Sequence, residues 1–463
     1  MSRSGFSRDE QIAESGLQSL LQPAARVVIV GLGVTGLSVA RFLAAQGIPF
    51  AVVDSRERPP GLVELRETCP DAAVFLGRFE QGAMAVATHL IVSPGVALEE
   101  PAIQRAQANG AQLLGDIDLF ACLARAPVVG ITGANGKSTV TSLLGAMAQS
   151  AGRRVQVGGN LGTPALALLD EEAELYVLEL SSFQLERTQA LRCQAATVLN
   201  VSPDHLDRYV DEAAYAAAKQ RIFHGDGVMV LNADDAVVAA MACAERDCVF
   251  YGLEADHPVD YGLVERDGVE WLCCRDEPVL AGTELLLKGR HNLSNALAAL
   301  ALGDAVGLPR PAMAAALRSF RGLDHRMQFV AEWDGVVWID DSKATNIGAC
   351  MAALDGLAGK AVLIAGGDGK GADFSPLVQP AARKVRAAVL MGKDAAKLDA
   401  VLSPVIPTQR VADMREAVAA ACLLAQPGDT ALLSPACASL DQYTDYKHRG
   451  RVFAEAVRTL RPS

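Results

Sequence analysis

The sequence predicts an α/β protein of three doubly wound domains: a Rossmann-like unit at the N-terminus, a central unit of the P-loop ATPase type, and a second Rossmann-like unit at the C-terminus. Three observations carry this expectation. Short β-branched runs alternate with Ala/Leu-rich runs of helical spacing, the pattern of parallel sheets covered by helices. Two glycine loops, GLGVTG at 31–36 and GANGKS at 133–138, each follow an apolar strand and open a helix. A chain of 463 residues is also too long for one core. The expected divisions are 1–115, 116–321 and 322–463, with 1–25 a loosely ordered extension too polar for a signal sequence.

The first unit begins with RVVIVGLGVTGLSVARFLAAQG and FAVVDSR. Gly31, Gly33 and Gly36 form GxGxxG after a strand, and Asp54 ends the next strand. That is a dinucleotide-type fingerprint in the right context, so an NAD-dependent dehydrogenase is the obvious rival function. Alone, the motif says only that a diphosphate can sit at a helix N-terminus. THLIVSPGVAL reads as a third strand ending in a Pro-Gly loop at Gly95, and by Val128 the next glycine loop has begun. A complete dinucleotide fold needs a longer second half.

In the second unit, Val128, Val129 and Ile131 predict a buried strand, and STVTSLLGAMAQ predicts a helix. The loop between them offers free N–H groups and a positive dipole end to an anion. Lys137 adds a mobile cation and Ser138 a magnesium-binding hydroxyl. The glycines are Gly133 and Gly136, so the spacing is GxxGKS, shorter than the usual P-loop. An ordinary glycine-rich turn explains less, because Lys and Ser follow the second glycine where the chemistry needs them. YVLELSSFQLE brings Glu179 to a strand end, and TVLNVSPDHLDRY delivers Asn200, Asp204 and His205 to a loop. Taken singly, Glu179 reads as a cap or ion-pair residue and His205 as a hydrogen-bonded loop histidine. On successive strands after a phosphate loop they predict a hard-cation site.

The third unit carries WIDDSKATN, AVLIAGGDGKGADF, AAVLMG and ALLSPACASLDQY, each a strand followed by a polar or glycine-rich loop. Lys343 and Lys370 sit just past buried strands, which favours a functional role over that of solvated surface lysines. With 42 basic against 54 acidic residues, a net charge of −12 and no basic run interleaved with aromatics, nucleic acid is excluded as a partner. Ten scattered cysteines without a CxxC indicate neither zinc nor a disulfide framework and fit a reducing cytoplasm. No apolar run reaches membrane-spanning length.

TGANGKST, ELSSFQLE, NVSPDHLDRY, HNLSNALAA, DDSKATN, GGDGKGADF and SPACASLDQ, in this order, resemble the Mur ligases of peptidoglycan precursor synthesis. The resemblance covers nearly everything after about Arg26. GLGVTG and SPACASLDQ resemble the D-glutamate-adding branch, and the DNPR stretch of the diaminopimelate and lysine adders is missing. The resemblance implies that the first glycine loop holds the diphosphate of a UDP-linked substrate, with contacts from Val34, Thr35, Asp54, Ser55, Arg56 and Gly95. Asn160 and His205 would reach toward its muramoyl portion. Gly133, Ala134, Asn135, Gly136, Lys137, Ser138 and Thr139 would hold the ATP phosphates, and Asn292 and Asn295, three apart on one helix face, would recognise adenine. His325, Arg326, Asp341 and Lys343 would complete the ATP site, while Thr345, Lys370, Ser439 and Tyr446 would take D-glutamate. Ser55 and Tyr446 stand where Thr and Phe are common in the family.

By the same resemblance the reaction is amide ligation through an acyl phosphate, which needs no protein nucleophile. Ser138 and Glu179 would bind one magnesium ion and His205 a second, with Lys219 in YAAAKQRIF completing that second site as a carbamate. Lys137, His205 and Lys219 are the expected catalytic residues. A monomer in the cytoplasm, acting on the UDP-linked substrate, D-glutamate and ATP, is expected. The competing functions are the dehydrogenase, a non-catalytic nucleotide-binding module and a sister ligase for another amino acid. Ser439 is placed near the start of the helix leading to Tyr446, where it serves either the ligand carboxylate or merely as a cap.

Overall fold

Each strand expected to end in a glycine-rich or polar loop forms in the computed structural model, which describes residues 18–79, 81–202, 208–254, 259–275, 277–287, 289–357 and 359–460. The first sheet contains β1 (Val27–Val30), β2 (Phe50–Asp54), β3 (Ala73–Leu76), β4 (His89–Val92) and β5 (Gln112–Leu114), all parallel, in the order β3-β2-β1-β4-β5. The strand in THLIVSPGVAL is therefore the fourth and not the third. The two strands that the sequence did not reveal lie at the sheet's edges. One alternates exposed and half-buried positions and the other has three residues, so neither shows a buried apolar run.

The second sheet contains β6 (Val128–Thr132), β7 (Val155–Gly159), β8 (Leu175–Glu179), β9 (Ala195–Val198), β10 (Val228–Asn232), β11 (Cys248–Tyr251), β12 (Tyr261–Arg266), β13 (Val269–Cys274) and β14 (Glu277–Ala281). Its order is β14-β13-β12-β11-β10-β9-β6-β8-β7, with an antiparallel β12–β14 meander extending a parallel body. β6, β8 and β9 are buried at every position, as strands covered on both faces must be. Helices Lys137–Ser150, Arg290–Ala305 and Arg310–Ser319 cover one face. The other face shares an apolar cluster with the first sheet, in which Phe120 meets Tyr176 edge-on, with ring centroids 5.0 Å apart. The helix Asp116–Leu123 thus links the first two units and packs between them.

The third sheet contains β15 (Gln328–Trp333), β16 (Val336–Asp340), β17 (Ala361–Gly366), β18 (Val385–Met391), β19 (Thr408–Arg410) and β20 (Thr430–Leu433), in the order β15-β16-β20-β17-β18-β19. β15 runs antiparallel and the rest are parallel. Because β20 lies between β16 and β17, the loops after Asp340, Leu433 and Gly366 emerge side by side at the C-terminal edge, where ligands bind in such sheets. No helix among the described residues is long and apolar enough to cross a membrane.

Candidate active site

The centre of the site is the phosphate loop at the end of β6, flanked by the ends of β8 and β9. Gly136 has φ 84°, and a Cβ there would stand 2.5 Å from Asn295 Oδ1, so the loop requires glycine. Asn295 in turn donates to Asn292 Oδ1 at 3.2 Å, which places both asparagines on one buried helix face directly behind the loop. Lys137 Nζ donates to the carbonyls of Gly133 (2.7 Å) and Ala134 (2.8 Å).

Beside the loop, the buried Ser138 hydroxyl donates to Glu179 Oε2 at 2.5 Å, and Asn160 Nδ2 donates to Glu179 Oε1 at 2.7 Å. Both oxygens of Glu179 are therefore held by neutral side chains, which a lone helix cap or ion-pair residue would not need. Burial pushes its carboxyl up, but Lys137, the Ser138 hydroxyl, Asn160 and Lys343 together outweigh this and hold it below the usual range. Two hard oxygen donors are thus presented together, one of them ionised.

On the other flank Asn200 departs from expectation. Its Oδ1 accepts from Asn135 N at 2.8 Å, its Nδ2 donates to Asn135 O at 3.1 Å, and its carbonyl accepts from Ala134 N. The residue expected beside a cation instead clamps the loop backbone, so its amide is spent. Asp204 and His205 lie outside the described residues. Lys219 is no surface lysine. It is 1 % exposed, and its Nζ donates to Gly133 O at 2.9 Å and stands 4.2 Å from the Tyr215 ring centroid.

The third unit reaches this loop. Arg326 Nη2 donates to Ser138 Oγ at 2.7 Å, and Asn346 Nδ2 to Asn135 Oδ1 at 3.3 Å. Lys343 Nζ sits 4.2 Å from the Tyr446 ring centroid; burial, and then Arg326, push its ammonium down to about 8. Asp341 accepts from Ser434 Oγ at 2.9 Å and Met327 N at 3.2 Å, and burial pushes its carboxyl up to about 7. His325 faces Asp340 Oδ2 at 2.7 Å through Nδ1.

Sequence reasoning missed the residue that joins two of these loops. Arg449, 2 % exposed, donates to Ser342 Oγ (3.0 Å), Ser342 O (2.8 Å) and Cys437 O (3.1 Å), so it fixes DDSK against SPACAS. Nothing in an arginine of a helix's first turn signals this. Asp368 and Ala438 exchange backbone hydrogen bonds, which sets the Lys370 loop beside Ser439. The helix here is Tyr446–Thr459, capped by Asp445, whose carboxylate accepts from His448 N at 2.6 Å. Ser439 therefore stands in a turn well ahead of the helix. It neither caps the helix nor adds to its N-terminal N–H groups.

In the first unit, Gly36 packs so closely that a Cβ would fall 2.0 Å from Gly31 O. Val34 is exposed, Thr35 is half-buried, and Ser55, Arg56 and Gly95 reach the surface at the strand ends. Asp54 is 2 % exposed and its carboxylate accepts from Leu32 N (2.7 Å), Arg56 N (2.8 Å), Arg56 Nε (2.8 Å) and Arg56 Nη2 (2.7 Å). It supports the glycine loop and Arg56, with no face left to meet a ribose. Two arginines that the sequence did not single out, Arg187 and Arg208, donate to Val96 O at 2.9 and 3.1 Å, anchoring the Pro-Gly loop to the central unit.

Three family models match the chain: the Mur ligase MurD-like N-terminal domain at 25–115, the Mur ligase middle domain at 131–303, and the Mur ligase glutamate ligase domain at 325–437. The chain is 59 % identical over 440 residues to the UDP-N-acetylmuramoylalanine–D-glutamate ligase of Methylococcus capsulatus, covering 95 % of this chain and 96 % of that protein. Its identity to the ligase of the same name from Nitrosococcus oceani is 57 % over 449 residues, covering 96 % of this chain and 99 % of the other. Among solved structures, the chain shares its fold with a pseudomurein peptide ligase type C from Methanothermus fervidus (TM-score 0.61, 19 % identity, 94 % of this chain and 100 % of that chain). It does so too with the UDP-N-acetylmuramate-alanine ligase of Thermotoga maritima (TM-score 0.60, 18 % identity, 94 % and 100 %).

Proposed function

The chain belongs to the Mur ligase family, and from that premise we infer that it is an ATP-dependent ligase adding D-glutamate to UDP-N-acetylmuramoyl-L-alanine, one step of peptidoglycan precursor synthesis. The observation that carries this reading is the convergence on one phosphate loop of Ser138, Glu179 and Lys219 from the central unit and Arg326 from the third.

The substrate carboxylate attacks the γ-phosphorus of ATP, the bond to ADP breaks, and an acyl phosphate forms. The amine of D-glutamate then attacks the acyl carbon, phosphate leaves from the tetrahedral intermediate, and the amine loses a proton. Both steps bring anions together, so catalysis lies in holding them in line and neutralising charge. In our assignment residues 1–115 bind the UDP end through Val34, Thr35, Ser55, Arg56 and Gly95, with Asp54 acting through Arg56. Residues 116–321 bind ATP, with Asn160 and His205 reaching the muramoyl portion, and residues 322–463 bind the amino acid. Lys137 would leave the loop carbonyls to meet the transferring phosphate. Arg326, Asp341 and Lys343 close over it, and Asn292 and Asn295 face the adenine.

Use of ATP with magnesium is typical of Mur ligases, and we assign it to this chain. The buried pair of Ser138 Oγ and Glu179 Oε2 fits such an ion, because both are hard oxygen donors presented together. A bound ion there would neutralise phosphate charge. A second ion held by His205 and a carbamate on Lys219 is the finer part of the proposal, as are a monomeric state and a cytoplasmic location, the latter fitting the small soluble substrates. The deciding experiment mixes the protein with UDP-N-acetylmuramoyl-L-alanine, ATP and magnesium and measures phosphate release with each candidate amino acid. D-Glutamate alone should support turnover. Micromolar NAD binding that UDP fails to displace would overturn the reading.

For the amino acid, Thr345, Lys370, Ser439 and Tyr446 form the candidate pocket, with Thr345 and Lys370 on one carboxylate and Ser439 on the other. Since Asp445 caps the helix, replacing Ser439 by Ala removes no cap, and the Ser439 carbonyl keeps its bonds from Gln442 N and Tyr443 N. A hydrogen bond to a charged group is worth about 1.5–3 kcal/mol, so Ser439→Ala should lose roughly ten- to hundredfold in kcat/KM for D-glutamate. KM for ATP and the melting temperature should hardly move. Unchanged use of D-glutamate would remove Ser439 from the pocket.

A further inference from the structure

Asn346 follows Lys343 and Thr345 in DDSKATN and caps the helix Ile347–Asp355, its Oδ1 accepting from Ala349 N at 2.8 Å. That bond fixes the amide's orientation, so Nδ2 is the side chain's donor. It points across the domain boundary to Asn135 Oδ1, 3.3 Å away. The main chain of Asn135 is itself locked on both sides by Asn200, at 2.8 and 3.1 Å. Three asparagines therefore run in series from the end of β9, across the phosphate loop, to the third unit.

The surfaces around this hydrogen bond come close. A Cβ on Gly348 would stand 3.4 Å from both Asn135 Nδ2 and Ser202 Oγ, and that serine hydroxyl is buried with no hydrogen-bond partner among the described residues. At the far end of the same loop, Arg326 holds Ser138. Hydrogen bonds thus tie the third unit to the loop at Asn135 and at Ser138. Lys343 and Thr345 belong to the short segment that runs into Asn346.

We propose that Asn346 is a positioning residue, which latches the third unit onto the phosphate loop through Asn135 and so sets where Lys343 and Thr345 stand over the reacting phosphate. The proposal rests on the ligase reading and deepens it. The hydrogen bond to Asn135 gives the segment a second tie to the loop beside the one through Arg326, and two ties fix its angle more closely than one. Capping alone would need only Oδ1, and this separates the two roles.

Asn346→Ser keeps a good cap but is too short to reach Asn135. A neutral hydrogen bond contributes modestly, so the latch predicts a roughly three- to tenfold loss of kcat in Asn346→Ser with an unchanged melting temperature. Asn135→Ala removes the partner while leaving the Asn200 clamp, which grips only backbone. In that background Asn346→Ser should change kcat less than about twofold, because the two residues act through each other. Small-angle scattering with a non-hydrolysable ATP analogue and magnesium should show Asn346→Ser more expanded than the unsubstituted protein. Multiplicative losses in the double variant, a melting temperature that falls along with the rate, or identical scattering would overturn the latch. A protein that scatters as expected yet releases no phosphate with D-glutamate would sink the ligase reading and leave the latch standing.

Discussion

Replacing Lys137 by alanine should lower the rate of phosphate release by about a hundredfold or more. The lysine opens the helix Lys137–Ser150, and its ammonium bridges two loop carbonyls, so it already lies against the surface that phosphates would touch. In a site closed to water, removing one such group from a developing oxyanion costs roughly 2.7–4 kcal/mol, which is the hundredfold or more expected. Alanine is the best helix former, so the helix itself is not weakened. The fold should also stay intact, because Asn200 and Gly136 keep the loop's shape without the lysine. Near-normal turnover with D-glutamate would show that this loop does not hold the triphosphate.

The parts of the fold that the sequence revealed are those where burial writes a pattern. β6, β8, β17 and β20 are apolar runs ended by a polar or glycine-rich loop, and each was readable as a buried strand feeding a site. β3, β5 and β19 were not readable. They are short edge strands, half exposed, held by one neighbour each and by little of their own composition. The antiparallel β12–β14 meander also escaped, although Asp267-Gly268, with φ 52° and 74°, is a hairpin turn signal between β12 and β13; the flanking residues are only half-buried and write no apolar run.

The candidate site was legible to the extent that its residues sit in loops directly after strands. Glu179, Lys137, Ser138 and Lys343 are placed by local chain geometry, so spacing alone located them. Arg449, Arg187 and Asn346 act over long sequence separations through backbone carbonyls or a single amide, and no local pattern encodes such partners. Asn200 shows the converse. Its position at a strand end was correct, but its amide binds the loop backbone and not a cation, because a glycine loop needs its free N–H and C=O groups tied down to hold one shape. Ser439 was misplaced relative to its helix because Asp445, an equally good cap six residues on, is the one that starts it.

Lys219→Ala should lower activity by about tenfold at least and a hundredfold or more if a metal ion is lost with it, and its companion Lys219→Arg decides why. The side chain is 1 % exposed, ends on Gly133 O at 2.9 Å and lies over Tyr215, so it is committed to the phosphate loop. One explanation is an ammonium that props the loop. A hydrogen bond from a charged donor is worth about 1.5–3 kcal/mol, so alanine would cost roughly ten- to hundredfold, and arginine, still a cation and donor, would recover part of it. The other is a carbamate, which turns the same position into an anionic oxygen ligand for a metal ion. A metal's contribution is several kcal/mol, arginine cannot form the carbamate, and both variants would then be equally inactive. The carbamate also requires carbon dioxide, so activity of the unsubstituted enzyme should fall in carbon-dioxide-free buffer and return with bicarbonate. Enzyme equilibrated with 13C-labelled bicarbonate should show a carbamate carbon resonance that Lys219→Ala lacks, a reading independent of turnover. If Lys219→Arg stays within about tenfold of the unsubstituted enzyme and carbon dioxide has no effect, the lysine is a prop and the second metal site must be built without it.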